Sequence, residues 1–143
     1  MIIDRDAQDR KAQGWEPYAS SGFFKGLGPT WSKTVNGKPL FGIEATHEHL
    51  NGKGIVHGGL LLTMLDQAIS MTAIDACDGA LMVTLQLETQ FVGAAKAGDF
   101  IEGDATITRK TRSLIFLRGE LRVGDRILVS GQGIMKLREP AVR

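Results

Sequence analysis

Apolar and polar positions alternate in two different rhythms along this chain. Thr30–Val35 and Leu40–Thr46 read as strands on either side of Asn36-Gly37, the dipeptide best suited to a two-residue hairpin turn, so a first hairpin is predicted there. Residues 47–56 form a polar, glycine-containing loop. His57–Ala76 (HGGLLLTMLDQAISMTAIDA) then carries Leu, Met, Ala and Ile with no proline, and its only glycines stand at its start. This pattern predicts one helix of about five turns, with Asp78-Gly79 beyond its end. From Leu81 the period drops to two: Val83, Leu85, Leu87 and Phe91 alternate with Thr84, Gln86, Glu88 and Gln90. Three further strand-like stretches follow near 99–110, 113–123 and 126–137, with pivots at Ala97-Gly98-Asp99 and Val123-Gly124-Asp125. The first dozen residues predict a short charged helix ending near Gly14, and residues 15–29 an aromatic coil. The order helix, two strands, long helix, four strands predicts an α+β fold. In it, an antiparallel sheet of about six strands wraps round one long helix.

Composition narrows the field. The length, 143 residues, suits one domain over 1–143, with 1–29 as its N-terminal helix and coil. Lys plus Arg number 17 against 16 Asp plus Glu, a net charge of +1, which argues against a dedicated nucleic-acid binder. Apolar residues make up 43% and charged residues 23%, which argues against disorder. Cys77 is the single cysteine, so neither a disulfide framework nor a multi-cysteine zinc site is expected. No apolar run reaches the ~18 residues of a membrane span, and the charged start MIIDRDAQDRKAQG lacks the apolar core of a signal peptide. The expectation is a cytoplasmic chain with neither membrane nor nucleic-acid partner.

Within the long helix, Thr63, Asp66, Gln67 and Ser70 fall at i, i+3, i+4 and i+7, one narrow polar stripe on an otherwise apolar cylinder. A solvent-facing stripe would explain the spacing, but such stripes usually carry Lys, Arg and Glu, and this one has a single carboxylate. An isolated carboxylate between leucines is costly to bury unless it is paired or used, and a carboxylate in a cleft is a common general base or nucleophile. His57-Gly58-Gly59 opens the same helix. A helix N-terminus presents unpaired N–H groups and partial positive charge, and glycine lets a reacting group approach them. The plainer reading is an ordinary glycine-containing helix entry.

Asn51, His57-Gly58-Gly59 and Asp66 together resemble the hotdog-fold acyl-CoA thioesterases, most nearly the phenylacetate-pathway and aryl-CoA thioesterase branch. The family's pattern is an Asn, six residues to His-Gly-Gly, and an acidic residue nine after that His, and these are the intervals here. The stretches Thr84–Phe91 and Ala94–Asp99 also fit, and the resemblance runs from about Gly28 to Leu137. It implies a hotdog fold and two subunits paired edge to edge, with tetramers common in the family. It implies hydrolysis of an acyl- or aryl-CoA thioester to free acid and CoA. By the same resemblance the Gly58 N–H polarises the thioester carbonyl, and Asp66 is nucleophile or general base. Asn51 holds the water or the carboxylate region, His57 orients the thioester end or supports the loop, and Thr84 stands beside the carboxylate. No metal or redox cofactor is implied, since coenzyme A is part of the substrate.

Spacing adds one point of its own. Gly58 and Asp66 are eight residues apart on one helix, about 12 Å at ~1.5 Å per residue. One thioester carbonyl cannot meet both, so a site using both draws them from different chains of a homodimer. The phosphates of CoA call for basic groups. Arg109, Lys110 and Arg112 in one turn, Lys96 in another and the backbone at Gly59 are the candidates, though a solvated hairpin tip explains the first three equally well.

Other readings are weaker. His47-x-His49 with His57 could suggest a metal, but no further ligand stands at a convincing spacing, and none is expected. Cys77 reads as a small buried residue. Trp15, Tyr18, Phe23 and Phe24 could line a ligand tunnel, though aromatics before a small domain more often pack a core or an interface. A hotdog dehydratase or hydratase and a non-catalytic acyl-CoA-binding module are the alternatives. The dehydratase motif lacks this HGG-to-Asp spacing, and Asp66 argues against the binding module, because a pure binder has little reason to hold a carboxylate at the thioester.

Overall fold

The computed structural model describes residues 4–138; the part of the predicted N-terminal helix before Asp4 lies outside them. Asp4 caps α1, Arg5–Ala12, by accepting from the Ala7 N–H. A two-residue strand, β1 (Glu16–Pro17), and a 3-10 turn, Gly22–Leu27, follow. The hairpin β2 (Thr30–Val35) and β3 (Lys38–Glu44) turns at Asn36-Gly37, both with positive φ as that turn requires. The long helix α2 spans Gly58–Ala76 with His57 as its N-cap. Asp78 and Gly79, both at positive φ, carry the chain away from its end. Four long strands complete the chain: β4 (Met82–Phe91), β5 (Phe100–Lys110), β6 (Leu114–Val123) and β7 (Arg126–Leu137).

The strands form one antiparallel sheet in the order β1-β2-β3-β5-β6-β7-β4. The sheet has one strand more than expected, the two-residue β1. It packs round α2, which touches β3 to β7, and the sheet is not closed into a barrel. The core between them includes Phe41, Ile43, Met64, Leu65, Ile69, Leu117 and Met135, all essentially inaccessible to solvent. Glycines let the helix lie close to the strands. A Cβ on Gly131 would fall 2.5 Å from the Glu88 carbonyl oxygen and 2.7 Å from Leu65, and one on Gly119 2.9 Å from Leu65. Of the N-terminal aromatics, Trp15 is buried and stacks edge-on against Phe100, while Tyr18 and Phe24 meet Phe41 edge-on. Phe23 alone of these is exposed.

The strand β4 has a neighbour on one side only, β7, so its other edge is open. Its register breaks at Leu85, a bulge immediately after Thr84. Val83, Leu85 and Phe91 on this strand are all exposed. No helix is long and apolar enough to cross a membrane among the described residues.

Candidate functional site

The polar stripe on α2 is not a solvent face. Thr63, Asp66, Gln67 and Ser70 are all half-buried, and they part company. Gln67 donates its amide N–H to the Tyr18 hydroxyl (3.2 Å), and Thr63 bonds back to the Gly59 carbonyl (2.9 Å). Asp66 turns the other way, towards β4. The Thr84 hydroxyl donates to Asp66 Oδ1 at 2.6 Å and lies 3.2 Å from the thioether sulfur of Met135, its cross-strand partner. The carboxylate is thus held by one oxygen, and Oδ2 has no hydrogen-bond partner among the described residues. The bulge at Leu85 redirects β4 directly after the residue that holds Asp66.

At its N-terminus α2 shows a single vacant donor. The His57 N–H bonds the His49 carbonyl (2.9 Å), the Gly59 N–H donates to His57 Nδ1 (2.8 Å), and the Leu60 N–H bonds the His57 carbonyl (3.0 Å). The Gly58 N–H has no partner among the described residues. Because Nδ1 of His57 accepts, the ring proton sits on Nε2. Phe91 flanks Gly58, since a Cβ built there would lie 3.5 Å from its ring. The two ends of β4 therefore mark the two candidate groups of the chain: Thr84 holds Asp66 near its start, and Phe91 stands by Gly58 at its end.

The remaining candidates take up varied places. Asn51 Oδ1 accepts from the N–H groups of Lys53 (2.9 Å) and Ile55 (3.4 Å), so its carbonyl shapes the loop before the helix and only its NH2 is left to face a ligand. Lys96 is exposed in the turn closed by Asp99, and the adjoining Ala95 carbonyl bonds the Val56 N–H, which puts Lys96 at the Gly58 end of α2. Arg109 and Arg112 are exposed at the opposite end, some 28 Å along the helix at ~1.5 Å per residue. Lys110 departs from the expected pattern: its ammonium donates to the Ala76 carbonyl (3.0 Å), filling an orphan acceptor at the end of α2.

Two of the three histidines, His49 and His57, serve backbone roles. Residues 47–49 are a 3-10 turn within the expected loop. His49 accepts the Thr46 N–H on Nδ1 (3.0 Å) and donates from Nε2 to the Leu27 carbonyl (2.8 Å). Cys77 is half-buried at the C-cap of α2. A groove of about 510 Å³ beneath α1, with Asp4, Asp6 and Glu44 in its wall, touches none of the residues named for the site. Sequence reasoning did not find Met135 or the His49 clamp, because both depend on which strands and turns become neighbours.

Residues 53–130 match the family model described as the thioesterase superfamily. A Pseudomonas aeruginosa protein provisionally named an esterase is 28% identical over 128 residues, covering 87% of this chain and 96% of that protein. Human acyl-coenzyme A thioesterase 13 is 28% identical over 85 residues, covering 59% of this chain and 61% of the human protein. Zebrafish thioesterase superfamily member 2 superposes with a TM-score of 0.74 at 23% identity, over 96% of this chain and 99% of that one. At that identity the likeness is one of fold, and the sheet packed round α2 is the expected hotdog arrangement.

Proposed function

This chain belongs to the thioesterase superfamily, and on that premise we propose that it hydrolyses an acyl-CoA thioester to free acid and CoA at a site shared by two copies. The observation that carries the reading is the division of labour along α2: a vacant N–H at Gly58 at one end, and a carboxylate held by Thr84 at 2.6 Å further along. The name of the human relative supports acyl-CoA as the substrate class.

The open edge of β4 supports the pairing. A two-fold axis crossing β4 between Leu87 and Glu88 sets Thr84 opposite the partner's Phe91. The Asp66–Thr84 pair of one copy then faces the partner's Gly58, and symmetry builds the second site at once. Pairing would also cover Val83, Leu85 and Phe91, which are otherwise an exposed apolar edge. The same antiparallel arrangement carries Arg109 and Arg112 of one copy towards the partner's Lys96, so basic groups that lie apart within one chain gather at one mouth.

In the reaction the thioester carbonyl oxygen accepts from the Gly58 N–H, which stabilises the charge that develops on it. Either water attacks, giving its proton to Asp66, or the Asp66 carboxylate attacks and water cleaves the resulting anhydride. In both routes the C–S bond breaks and the sulfur leaves as the CoA thiolate, which takes up a proton. His57 Nε2–H and the Asn51 NH2 are the remaining donors near the carbonyl. CoA release read with a thiol-trapping dye tests the reading, with Asp66→Asn as the paired control. Release by the native chain and its loss in a folded Asp66→Asn is expected. A fully active monomer on a sizing column would overturn the shared site.

A further inference from the structure

We infer that His49 is a positioning residue: its side chain fixes where the vacant Gly58 N–H stands. The consequence for turnover rests on the reading of the chain as an acyl-CoA hydrolase. The entry to α2 is held from two sides. On one side the Val56 N–H donates to the Ala95 carbonyl (2.8 Å), and on the other the His57 N–H donates to the carbonyl of His49 (2.9 Å). The Gly58 N–H follows one residue later, so its place depends on where that carbonyl lies. The half-buried ring of His49 holds the carbonyl still. Its Nε2–H donates to the Leu27 carbonyl (2.8 Å), 22 residues away along the chain, and its Nδ1 accepts the Thr46 N–H (3.0 Å). Both ring nitrogens are spent on the backbone, so neither is left for a thioester, and the ring acts through Gly58.

The two ring bonds are not equal. The Thr46 bond is local and has a backup, since the His49 N–H closes the same turn on the Thr46 carbonyl (3.0 Å). Thr46 is also exposed, so water can serve its N–H. The Leu27 bond has no backup. Among the described residues it is the one hydrogen bond between the Gly22–Leu27 turn and the 46–57 loop. That turn is rooted in the core: Phe24 meets the fully buried Phe41 edge-on, with 5.6 Å between ring centroids, and Leu27 packs against the same cluster. Stiffness therefore passes from the core, through the Leu27 carbonyl and the His49 ring, to His57 and Gly58. An oxyanion donor depends on such support, because a displacement of about 1 Å costs ~10²-fold in rate.

Two amide side chains divide the roles of the ring. In His49→Asn the side-chain oxygen stands where Nδ1 stood and keeps the Thr46 bond; in His49→Gln the longer amide reaches the Leu27 carbonyl instead. Amide NMR of the whole chain reads the entry to α2 directly. His49→Asn is expected to shift the Gly58 resonance and to speed solvent exchange of the His57 N–H by about tenfold or more, while His49→Gln stays near native. An unshifted Gly58 resonance in His49→Asn would show that the Val56 bond suffices. Equal damage in His49→Gln would show that the Leu27 bond is not what matters. Either result overturns the assignment. In thiol release, His49→Asn is expected to lose about tenfold or more in kcat with KM within about twofold of native. In a Gly58→Ala background, where the donor is already obstructed, it is expected to lose nothing further. A native kcat, a raised KM with kcat intact, or losses that multiply in the double variant overturn it as well. If the native chain releases no CoA from any thioester, the hydrolase reading fails, and the NMR comparison alone decides whether His49 places the Gly58 N–H.

Discussion

Gly58→Ala separates fold from chemistry more sharply than any other single change. The added Cβ would lie 3.5, 3.7 and 4.0 Å from three carbons of the Phe91 ring, ordinary contact distances. Gly58 is not among the residues at positive φ, so alanine meets no backbone strain there. Replacing glycine by alanine at a compatible position stabilises by about 0.4–1 kcal/mol through the unfolded chain. For a chain of this size that is a rise in Tm of about 1–4 °C. In the proposed reaction the same methyl would obstruct the approach of the thioester oxygen to the vacant N–H, and an oxyanion donor put out of reach costs ~10²–10³ in turnover. A protein that melts no lower yet turns over at least a hundredfold more slowly is therefore expected, by differential scanning fluorimetry and thiol release. Gly59→Ala is the control with the opposite stability sign, because its Cβ would fall 3.0 Å from His57 Nδ1 and disturb the cap. Native turnover in Gly58→Ala would refute the role given to this N–H. A Tm several degrees lower would refute the packing argument.

Two further outcomes concern stability. Gly131→Ala forces a methyl to 2.5 Å from the Glu88 carbonyl oxygen, which cannot move without breaking the β4–β7 ladder; a loss of about 1–3 kcal/mol is expected in urea unfolding, and an unchanged midpoint would show that α2 and β4 yield freely there. Burial alone would raise the Asp104 carboxyl, but the hydrogen bond and charge of Arg122 at 3.0 Å, with Lys38 beside it, outweigh burial and hold it below the ordinary value. A depressed carboxyl stabilises the fold above its unfolded value of ~3.9 and loses that contribution as pH falls through the folded one. Native protein is thus expected to lose up to about 1 kcal/mol more than Asp104→Asn between pH 7 and pH 3, and equal losses would count against it.

Local pattern carried much of the architecture. The Asn36-Gly37 hairpin, the helix opening at His57-Gly58 and the alternation after Leu81 all reflect short-range chemistry, and each element formed close to its predicted bounds. Sheet order did not follow from pattern. β4 crosses to the far edge beside β7 and leaves β3 to pair with β5, a choice made by packing over α2 rather than by any local signal. The geometry of the candidate site was legible only in part. Spacing singled out Asp66 and Gly58, but one stripe on a helical wheel could not tell that Asp66 turns to Thr84 while Gln67 turns to Tyr18. Lys110 looked like a ligand for phosphate, yet its ammonium serves the last turn of α2, because orphan carbonyls are visible only once the hairpin tip is known to fold over them.

The vacant N–H and the carboxylate share one rigid helix too long to bring both to the same bond. In the proposed pair each chain is therefore donor in one site and base in the other, and within one chain damage at Gly58 and damage at Asp66 fall on different sites of the assembly. On that proposal two chains, each inert by itself, one spoiled at Gly58 and the other at Asp66, would complete one intact site when they meet. The defects are recessive to each other within a single mixed dimer, and an organism carrying both forms would retain part of an activity that neither form possesses alone.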